Sequence, residues 1–217
     1  MQSVNDAADE QERVRILGVE QVAATGFSVL RQTEFDYRRR DGRWTRLKRE
    51  TYDHGNGAAI LLFDPQRGCV LLVQQFRYPA YVNPPSRMAP DARLGWTIEA
   101  PAGMIDDHEQ SGRSPEVAIK AEAEEEAGVR VAQPRRVLEF FSSPGSTTER
   151  VICFFATYNA ADRTGSGGGL AEEGEDIVIL EPTLDAALEM VARGEIADAK
   201  TIMLLFWAKL NPAELHG

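Results

Sequence analysis

The strongest constraint on the fold is a pair of apolar runs within residues 57–78, GAAILLFDPQRGCVLLVQQFRY, which the polar stretch DPQRG separates. The two arms predict a β-hairpin with a short turn. A strand with one face in water alternates apolar and polar side chains, and these arms do not. We therefore expect the hairpin to lie in a sheet that other elements cover on both faces.

A second antiparallel pair is predicted before this hairpin. Residues 27–55 alternate around Asp41 and Gly42, and Asp-Gly between alternating segments is a strong signal for a turn between paired strands. Residues 1–13 are polar and are predicted to form a flexible tail. The start of the chain also lacks the apolar core of a secretory signal peptide.

An acidic helix is predicted over residues 114–128, SPEVAIKAEAEEEAG, where residues typical of helix ends stand at both ends. Ser114 suits the N-cap, and Pro115 suits the first helical position. Gly128 suits the left-handed position that ends many helices. The helix is unusual because it carries four glutamates within five positions.

Helical geometry divides these glutamates into two groups. At about 100° per residue, Glu122, Glu125 and Glu126 lie on one arc, and Glu124 lies on the opposite side. Like charges at these spacings destabilise a helix by only about 0.2–0.5 kcal/mol per pair, so a solvated helix could carry them. From the helix alone, a solvent-exposed face and a metal-binding face both remain open.

Two other segments favour metal binding. The stretch EAPAGMID before the helix predicts a strand that ends in a glycine turn, where backbone groups can approach a metal-bound phosphate. A glycine-flanked loop later in the chain carries carboxylates that suit the oxygen coordination of Mg²⁺. These are Glu172, Glu173, Glu175 and Asp176. Taken alone, this loop is more typical of a solvated glycine-rich segment.

The rest of the chain interleaves strands and helices. Residues 80–95, rich in Pro, Arg and Ala, are predicted to form a loop. Strands are predicted at WTIEAPAGMI, RRVLEFF, RVICFFATYNA and DIVILEP, and helices at TLDAALEMVARGE and DAKTIMLLFWAKL. Because hairpins join most neighbouring strands, the pattern favours an α/β fold with a mixed sheet between helices over a doubly wound parallel sheet.

Charge and cysteine content narrow the function and the compartment. The 217 residues carry a formal net charge of −10, which argues against nonspecific nucleic-acid binding. A small phosphorylated substrate held with divalent cations stays compatible with that charge. Cys69 and Cys153 lie in apolar runs and are predicted to be buried free thiols. No apolar run approaches the roughly 20 residues that cross a membrane, and a reducing cytoplasm is the expected compartment.

The glycine turn and the acidic helix together match a known sequence pattern, G-x5-E-x7-R-E-U-x-E-E-x-G-U, in which U is aliphatic. Gly103 matches its first position, and AEAEEEAGV matches its second half. Glu122, Glu125 and Glu126 then fall on the three clustered glutamates of the pattern. In this respect the chain resembles the Nudix hydrolases. It departs from the pattern where Ala121 replaces the arginine and where four extra residues precede the helix.

Further segments resemble the nucleotide-sugar branch of that family, the GDP-mannose pyrophosphatases first and the ADP-ribose pyrophosphatases second. They are KRETYDHGNGAAILL, VQQFR, PAGMID, SPGSTTE, GGGLAEEGEDI, ALEMVARGEI and DAKTIMLL. The resemblance implies a Nudix α/β/α sandwich with a mixed sheet over residues 57–212, and an N-terminal antiparallel β subdomain over residues 14–56. It also implies a homodimer in which the N-terminal strands cross to the partner.

The resemblance implies roles for individual residues as well. Mg²⁺ or Mn²⁺ would be bound by the side chains of Glu122, Glu126 and Glu175 and by the carbonyl of Ala102. The expected catalytic residues are Glu122, Glu125, Glu126 and Glu173, with Glu173 or a glutamate of the helix as general base. The expected substrate-contacting residues are Lys48, Arg49, Glu50, Arg77, Gly103, Met104, Glu149 and Lys200.

Two functions of different classes follow. The first is metal-dependent hydrolysis of the pyrophosphate bond of a nucleoside diphosphate sugar, GDP-mannose-like or alternatively ADP-ribose. It would yield a nucleoside monophosphate and a sugar 1-phosphate. The second is a non-catalytic Nudix-fold sensor of a nucleotide sugar, which Ala121 and the lengthened loop favour. The intact glutamates and the loop AEEGED favour the enzyme.

Overall fold

The hairpin with continuous apolar arms belongs to the larger of two units in a computed structural model of the chain. The structure describes residues 13–86, 93–105, 114–170, 172 and 174–215. One unit comprises Met1–Gly55 and Ser143–Glu149, and the other comprises Asn56–Ser142 and Arg150–Gly217. The predicted tail lies outside the described residues except for Arg13. The domain boundaries at 14–56 and 57–212 stay predictions.

The N-terminal unit contains a three-stranded antiparallel sheet in the order β1 (Val14–Ala24), β2 (Val29–Arg38), β3 (Trp44–Asp53). In the turn between β2 and β3, the Gly42 N–H donates to the Arg39 carbonyl at 2.9 Å. Gly42 has a φ of 84°, in the left-handed region that glycine enters without a steric penalty. The predicted turn and the two strands around it are confirmed.

Strand β1 lies within the N-terminal β subdomain that the resemblance implies, but the pattern of its residues did not predict it as a strand. Its residues, VRILGVEQVAA, are all exposed and do not alternate between apolar and polar. The strand pairs with β2 along its length, with register shifts between Ile16 and Gly18 and between Gln21 and Ala23. Backbone pairing rather than burial of one face therefore holds β1, and a hydrophobic pattern gives no sign of that.

The second unit is built on a mixed sheet. In the described residues its seven strands are β4 (Gly57–Asp64), β5 (Cys69–Phe76), β6 (Trp96–Glu99), β7 (Ala102–Met104), β8 (Arg135–Phe141), β9 (Arg150–Thr157) and β10 (Val178–Leu180). Their order is β10-β5-β4-β9-β8, with β6 beside β5 and β7 beside β4. Strands β4 and β9 are parallel, and the other pairs are antiparallel. The predicted mixed sheet is confirmed.

Helices lie on both sides of this sheet. They are α1 (Tyr78–Val82), α2 (Pro115–Glu125), α3 (Leu184–Arg193) and α4 (Ala199–Leu210), with short 3-10 turns at Ala160–Asp162 and Pro212–Leu215. Helix α2 begins where predicted, because the Ser114 hydroxyl accepts a hydrogen bond from the Val117 N–H at 3.3 Å and Pro115 follows it. The prediction of a loop over residues 80–95 is wrong at residues 80–82, which belong to α1.

Strand β4 shows how the sheet is covered on both faces. Ile60 and Leu62 pack into one buried cluster with Ile119 of α2. Leu61, on the other face, packs into a second cluster with Leu204 of α4. Successive residues of β4 therefore enter opposite cores, which explains its continuous apolar run and confirms that prediction.

The two cysteines form no disulfide: Cys153 is buried and Cys69 is partly buried. The prediction of free thiols is confirmed, although that of burial holds fully only for Cys153. Among the described residues, no helix combines the length and apolar character needed to cross a membrane.

Candidate active site

The first part of the site is a close contact between β7 and helix α2. A β-carbon added to Gly103 would lie 2.0 Å from Oε1 of Glu122 and 2.2 Å from its carboxyl carbon. Any side chain at position 103 would therefore displace the Glu122 carboxylate, which lies against the backbone of β7. Glycine is required here for space rather than for an unusual φ.

Glu126, one turn further along the helix, is buried beside the same strand. Only 1% of the residue is exposed, and its Oε2 accepts a hydrogen bond from the Ala102 N–H at 2.9 Å. Burial is the main reason that the pKa of Glu126 is raised to about 8. The negative charges of Glu122 and Glu175 act in the same direction, while the Ala102 hydrogen bond and the charge of Arg77 oppose it. A cation beside this carboxyl would remove the main cost of ionising it.

A glycine-rich segment carries Glu175 towards the end of helix α2. The Gly168 N–H donates to the Glu126 carbonyl at 3.0 Å, and the Leu170 N–H donates to Oε2 of Glu175 at 2.8 Å. Gly169 has a φ of 77°, and a β-carbon there would lie 2.4 Å from that same oxygen. The glycines thus let the loop fold closely around the third carboxylate.

A cavity of about 240 Å³ lies next to Glu175. Basic, acidic and aromatic side chains face it together, so it suits a ligand that combines an anion with a flat or apolar group. Its lining residues are Gln75, Phe76, Arg77, Trp96, Gly174, Glu175 and Asp176.

Arg77, which lines this cavity, is also hydrogen-bonded to the buried carboxylate of Glu99. Its Nε donates to Oε1 of Glu99 at 3.0 Å, and its Nη2 donates to Oε2 at 3.2 Å. Lys200 donates from Nζ to Oε2 of Glu99 at 2.6 Å. Burial would raise the pKa of Glu99, but the charges and hydrogen bonds of Lys200 and Arg77 outweigh it and lower the pKa to about 2.

Comparison with known families agrees with this geometry. A model of the NUDIX domain matches residues 53–205, and a model of the GDP-mannose pyrophosphatase NudK N-terminal domain matches residues 13–52. The chain belongs to the Nudix family. In the Nudix box, the sequence pattern from Gly103 to Val129, the first glycine thus lies against Glu122, the first of the three clustered glutamates on the box helix α2.

Relatives of this Nudix protein share most of its length. A GDP-mannose pyrophosphatase of Cronobacter sakazakii is 44% identical over 186 residues, which cover 86% of this chain and 90% of the relative. Proteins of the same name from Enterobacter sp. (strain 638) and Salmonella arizonae are 40% and 41% identical over 192 residues, which cover 88% of this chain and 93% of each relative.

A solved structure has a similar fold. The crystal structure of an ADP compounds hydrolase aligns with a TM-score of 0.68 and covers 93% of this chain and 96% of its own. The two sequences are 14% identical, so the likeness concerns the fold. It supports the Nudix-type arrangement of a mixed sheet with helices and an additional antiparallel sheet.

Nudix hydrolases generally need a divalent metal ion, and the residues present fit one. Glu122 and Glu126 provide hard oxygen ligands, and the negative charge that raises the pKa of Glu126 is the kind that a cation neutralises. Among the described residues, no three Asp, Glu, His or Cys side chains already stand close enough to hold an ion. The ligand roles of Ala102, Glu122, Glu126 and Glu175 therefore stay predictions.

The other glutamates of the box helix face water. Glu125 is exposed, and so is Glu124, whose Oε1 accepts a hydrogen bond from Nη2 of Arg130 at 2.9 Å. Glu173, the predicted general base, lies outside the described residues, as does most of the lengthened box loop, residues 106–113. Met104 ends β7 and is paired with Gly57 of β4.

Four predicted substrate contacts belong to the N-terminal unit. Lys48, Arg49 and Glu50 are exposed on β3. Glu149 ends the segment 143–149, and its Oε2 lies 3.7 Å from Nε2 of His54. Their contact with substrate stays a prediction.

The sequence-based prediction missed two residues that this geometry singles out. Glu99 is buried between Arg77 and Lys200, and Trp96 lines the cavity beside Glu175. A signal for Glu99 was present, because an acidic residue that ends an apolar strand just before a glycine turn is unusual in a core. The partners of Glu99, 22 and 101 residues away, were not visible in any local pattern.

Proposed function

We propose that this Nudix hydrolase cleaves the pyrophosphate bond of a nucleoside diphosphate sugar, GDP-mannose or a close analogue, to a nucleoside monophosphate and a sugar 1-phosphate. The observation that carries this proposal is the placement of Glu122 and Glu126 against β7. The names of the relatives that are 40% to 44% identical supply the substrate class.

Water is the nucleophile in the proposed reaction. Glu122, Glu126 and Glu175 with the carbonyl of Ala102 would hold the metal, Mg²⁺ or Mn²⁺, which when bound supplies charge neutralisation and a more acidic water. Glu173 is the proposed general base, with a box glutamate such as Glu125 as the alternative.

Arg77 is the proposed phosphate contact, and the cavity that it lines with Glu175 supports this role. A guanidinium can bind two phosphate oxygens at once, and its hydrogen bonds to charged oxygens are stronger than those between neutral groups. Lys200, Gly103 and Met104 are further proposed contacts. The proposed contacts with the rest of the nucleotide sugar are Lys48, Arg49, Glu50 and Glu149.

The test is turnover of nucleotide sugars in the presence of Mg²⁺, measured as phosphate released by a coupled phosphatase. We expect hydrolysis of GDP-mannose, with kcat/KM compared directly against ADP-ribose. Glu126→Gln should lower kcat by at least about 100-fold if the metal supplies several kcal/mol. Absence of turnover on GDP-mannose, ADP-ribose, ADP-glucose and UDP-glucose would favour a non-catalytic sensor.

We propose in addition that the N-terminal strands form a homodimer. Strand β1 is at the edge of its sheet and exposes Ile16 (67%) and Val19 (57%). An exposed apolar edge strand is a ready surface for another chain. Light scattering after size exclusion should give a dimer mass for the wild type and a monomer for Ile16→Lys; a monomeric wild type would refute the proposal.

The reducing cytoplasm is the proposed compartment. The absence of a disulfide between Cys69 and Cys153 supports it, since paired cysteines are common in oxidising compartments and rare in the cytosol.

A further inference from the structure

A buried carboxylate connects the two cationic side chains that the proposed function assigns to substrate. Glu99 is 4% exposed, and both of its oxygens are occupied. Oε1 accepts from Nε of Arg77 and, at 2.6 Å, from the Thr97 hydroxyl. Oε2 accepts from Nη2 of Arg77 and from Nζ of Lys200. Burying a charged carboxylate costs solvation free energy, and four hydrogen bonds offset that cost only if all four donor groups are fixed in place.

Lys200 is fixed from a second direction. Its Nζ also donates to Oδ1 of Asp198 at 3.0 Å, and Asp198 is the N-cap of helix α4. The other Asp198 oxygen accepts from the Thr201 N–H at 2.9 Å and from its hydroxyl at 2.6 Å. The Thr201 hydroxyl in turn accepts from the Ala100 N–H at 2.7 Å. The start of α4 is thereby tied to the chain immediately after Glu99.

The same network reaches the metal side of the site. Two residues, Ala100 and Pro101, separate Glu99 from Ala102, whose N–H donates a hydrogen bond to Glu126. The positive charge of Arg77 also acts on Glu126 and lowers its pKa against the effect of burial. Arg77 thus donates from Nε and Nη2 to the buried Glu99, and it lines the same cavity as Glu175.

We propose that Glu99 is a positioning residue, which fixes the Arg77 guanidinium and the Lys200 ammonium so that their remaining N–H groups face the pyrophosphate of the substrate. This inference rests on the proposed function. Without Glu99 two flexible, positively charged side chains would have to be ordered by the substrate itself, and that ordering would weaken binding.

The test is the affinity for a methylene-bridged analogue of GDP-mannose, in which CH₂ replaces the scissile bridging oxygen, measured by calorimetry with Mg²⁺. Glu99→Gln places an amide NH₂ against donors, so we expect the Kd to rise by about tenfold to 100-fold. Glu99→Asp keeps the charge but shortens the reach, and the Kd should rise there too. The stoichiometry of the calorimetric titration reports the fraction of protein that is folded. A raised Kd at unchanged stoichiometry therefore reflects lost positioning and not misfolding.

Asp64 offers a matched control in the same unit. It is also 4% exposed, and its Oδ2 accepts from Nε of Arg67 at 2.5 Å. Asp64→Asn should cost stability to urea but leave the Kd within about twofold, because no residue in this pair belongs to the proposed site. An equal loss of affinity in Asp64→Asn would mean that loss of a buried ion pair is enough, and would overturn the positioning role.

A double-mutant cycle adds a second readout. If Glu99 acts through Arg77, the pair Glu99→Gln and Arg77→Lys should bind little worse than the weaker single variant. Additive losses, or wild-type affinity in either Glu99 variant, would overturn this inference and leave the proposed function intact. A wild-type protein that neither binds the analogue nor hydrolyses nucleotide sugars would overturn both.

Discussion

Glu126→Gln should stabilise the metal-free protein, although it should also lower kcat by at least about 100-fold. The buried carboxyl has a pKa of about 8 in the folded chain against an ordinary value of 4.5. A group whose folded pKa lies above its unfolded pKa binds its proton more tightly in the folded state. Folding must therefore take up a proton, and the free energy of unfolding falls as the pH rises from 4.5 to 8. At pH 7 this linkage costs about 3 kcal/mol.

The glutamine removes that cost because it is neutral at every pH. Its side-chain oxygen can still accept the hydrogen bond that the Ala102 N–H now donates to Glu126. Below pH 4.5 the wild-type carboxyl is protonated in both states, and the two proteins should have similar free energies of unfolding. The difference should then grow towards about 3 kcal/mol at pH 7.

The assay is urea unfolding in EDTA at several values between pH 4.5 and pH 8, followed by circular dichroism. Glu125→Gln is the matched control, because it removes the same charge from an exposed neighbour on the same helix. It should change the free energy of unfolding by less than about 0.5 kcal/mol. Added Mg²⁺ should stabilise the wild type more than Glu126→Gln. Equal wild-type and Glu126→Gln stability at pH 7 in EDTA would refute the burial cost.

Three further predictions concern the site and its frame. Gly103→Ala should lower kcat/KM by about 100-fold, since its methyl group would displace the Glu122 carboxylate; steady-state kinetics with wild-type circular dichroism would check this. Ser114→Ala should cost about 1 kcal/mol in urea unfolding through loss of the cap on Val117, with kcat unchanged. Chelation by EDTA should abolish turnover of GDP-mannose, and Mg²⁺ should restore it; turnover that persists in EDTA would contradict the metal requirement.

Local rules of the sequence predicted the central hairpin and the box helix. The continuous apolar arms of β4 and β5 predict a sheet that is buried on both faces, and the structure has a buried apolar cluster on each face of that sheet. The ends of α2 follow from Ser114 and Pro115, and Gly128 has the expected left-handed φ of 63°. Each of these features depends on contacts within a few residues or on a continuous apolar run, which is why one sequence suffices.

The features that escaped prediction depend on contacts between distant parts of the chain. Strand β1 is exposed on all its residues and owes its conformation to pairing with β2. Helix α1 is only five residues long, and it contains a proline and two tyrosines that no helical period organises. Glu99 obtains its partners from Arg77, the residue after β5, and from α4, so its importance follows from the fold and not from its neighbours in sequence.

The replacement of the box arginine by Ala121 was the main reason to consider a non-catalytic sensor. In the described residues, however, the box carboxylates are held by other means. The absence of a side chain at Gly103 makes room for Glu122, and the Ala102 N–H binds Glu126. The positive charge that acts on Glu126 comes from Arg77, the residue that follows β5. Since Arg77 is itself held by Glu99, support from the sheet can replace support from the helix, and Ala121 is compatible with catalysis.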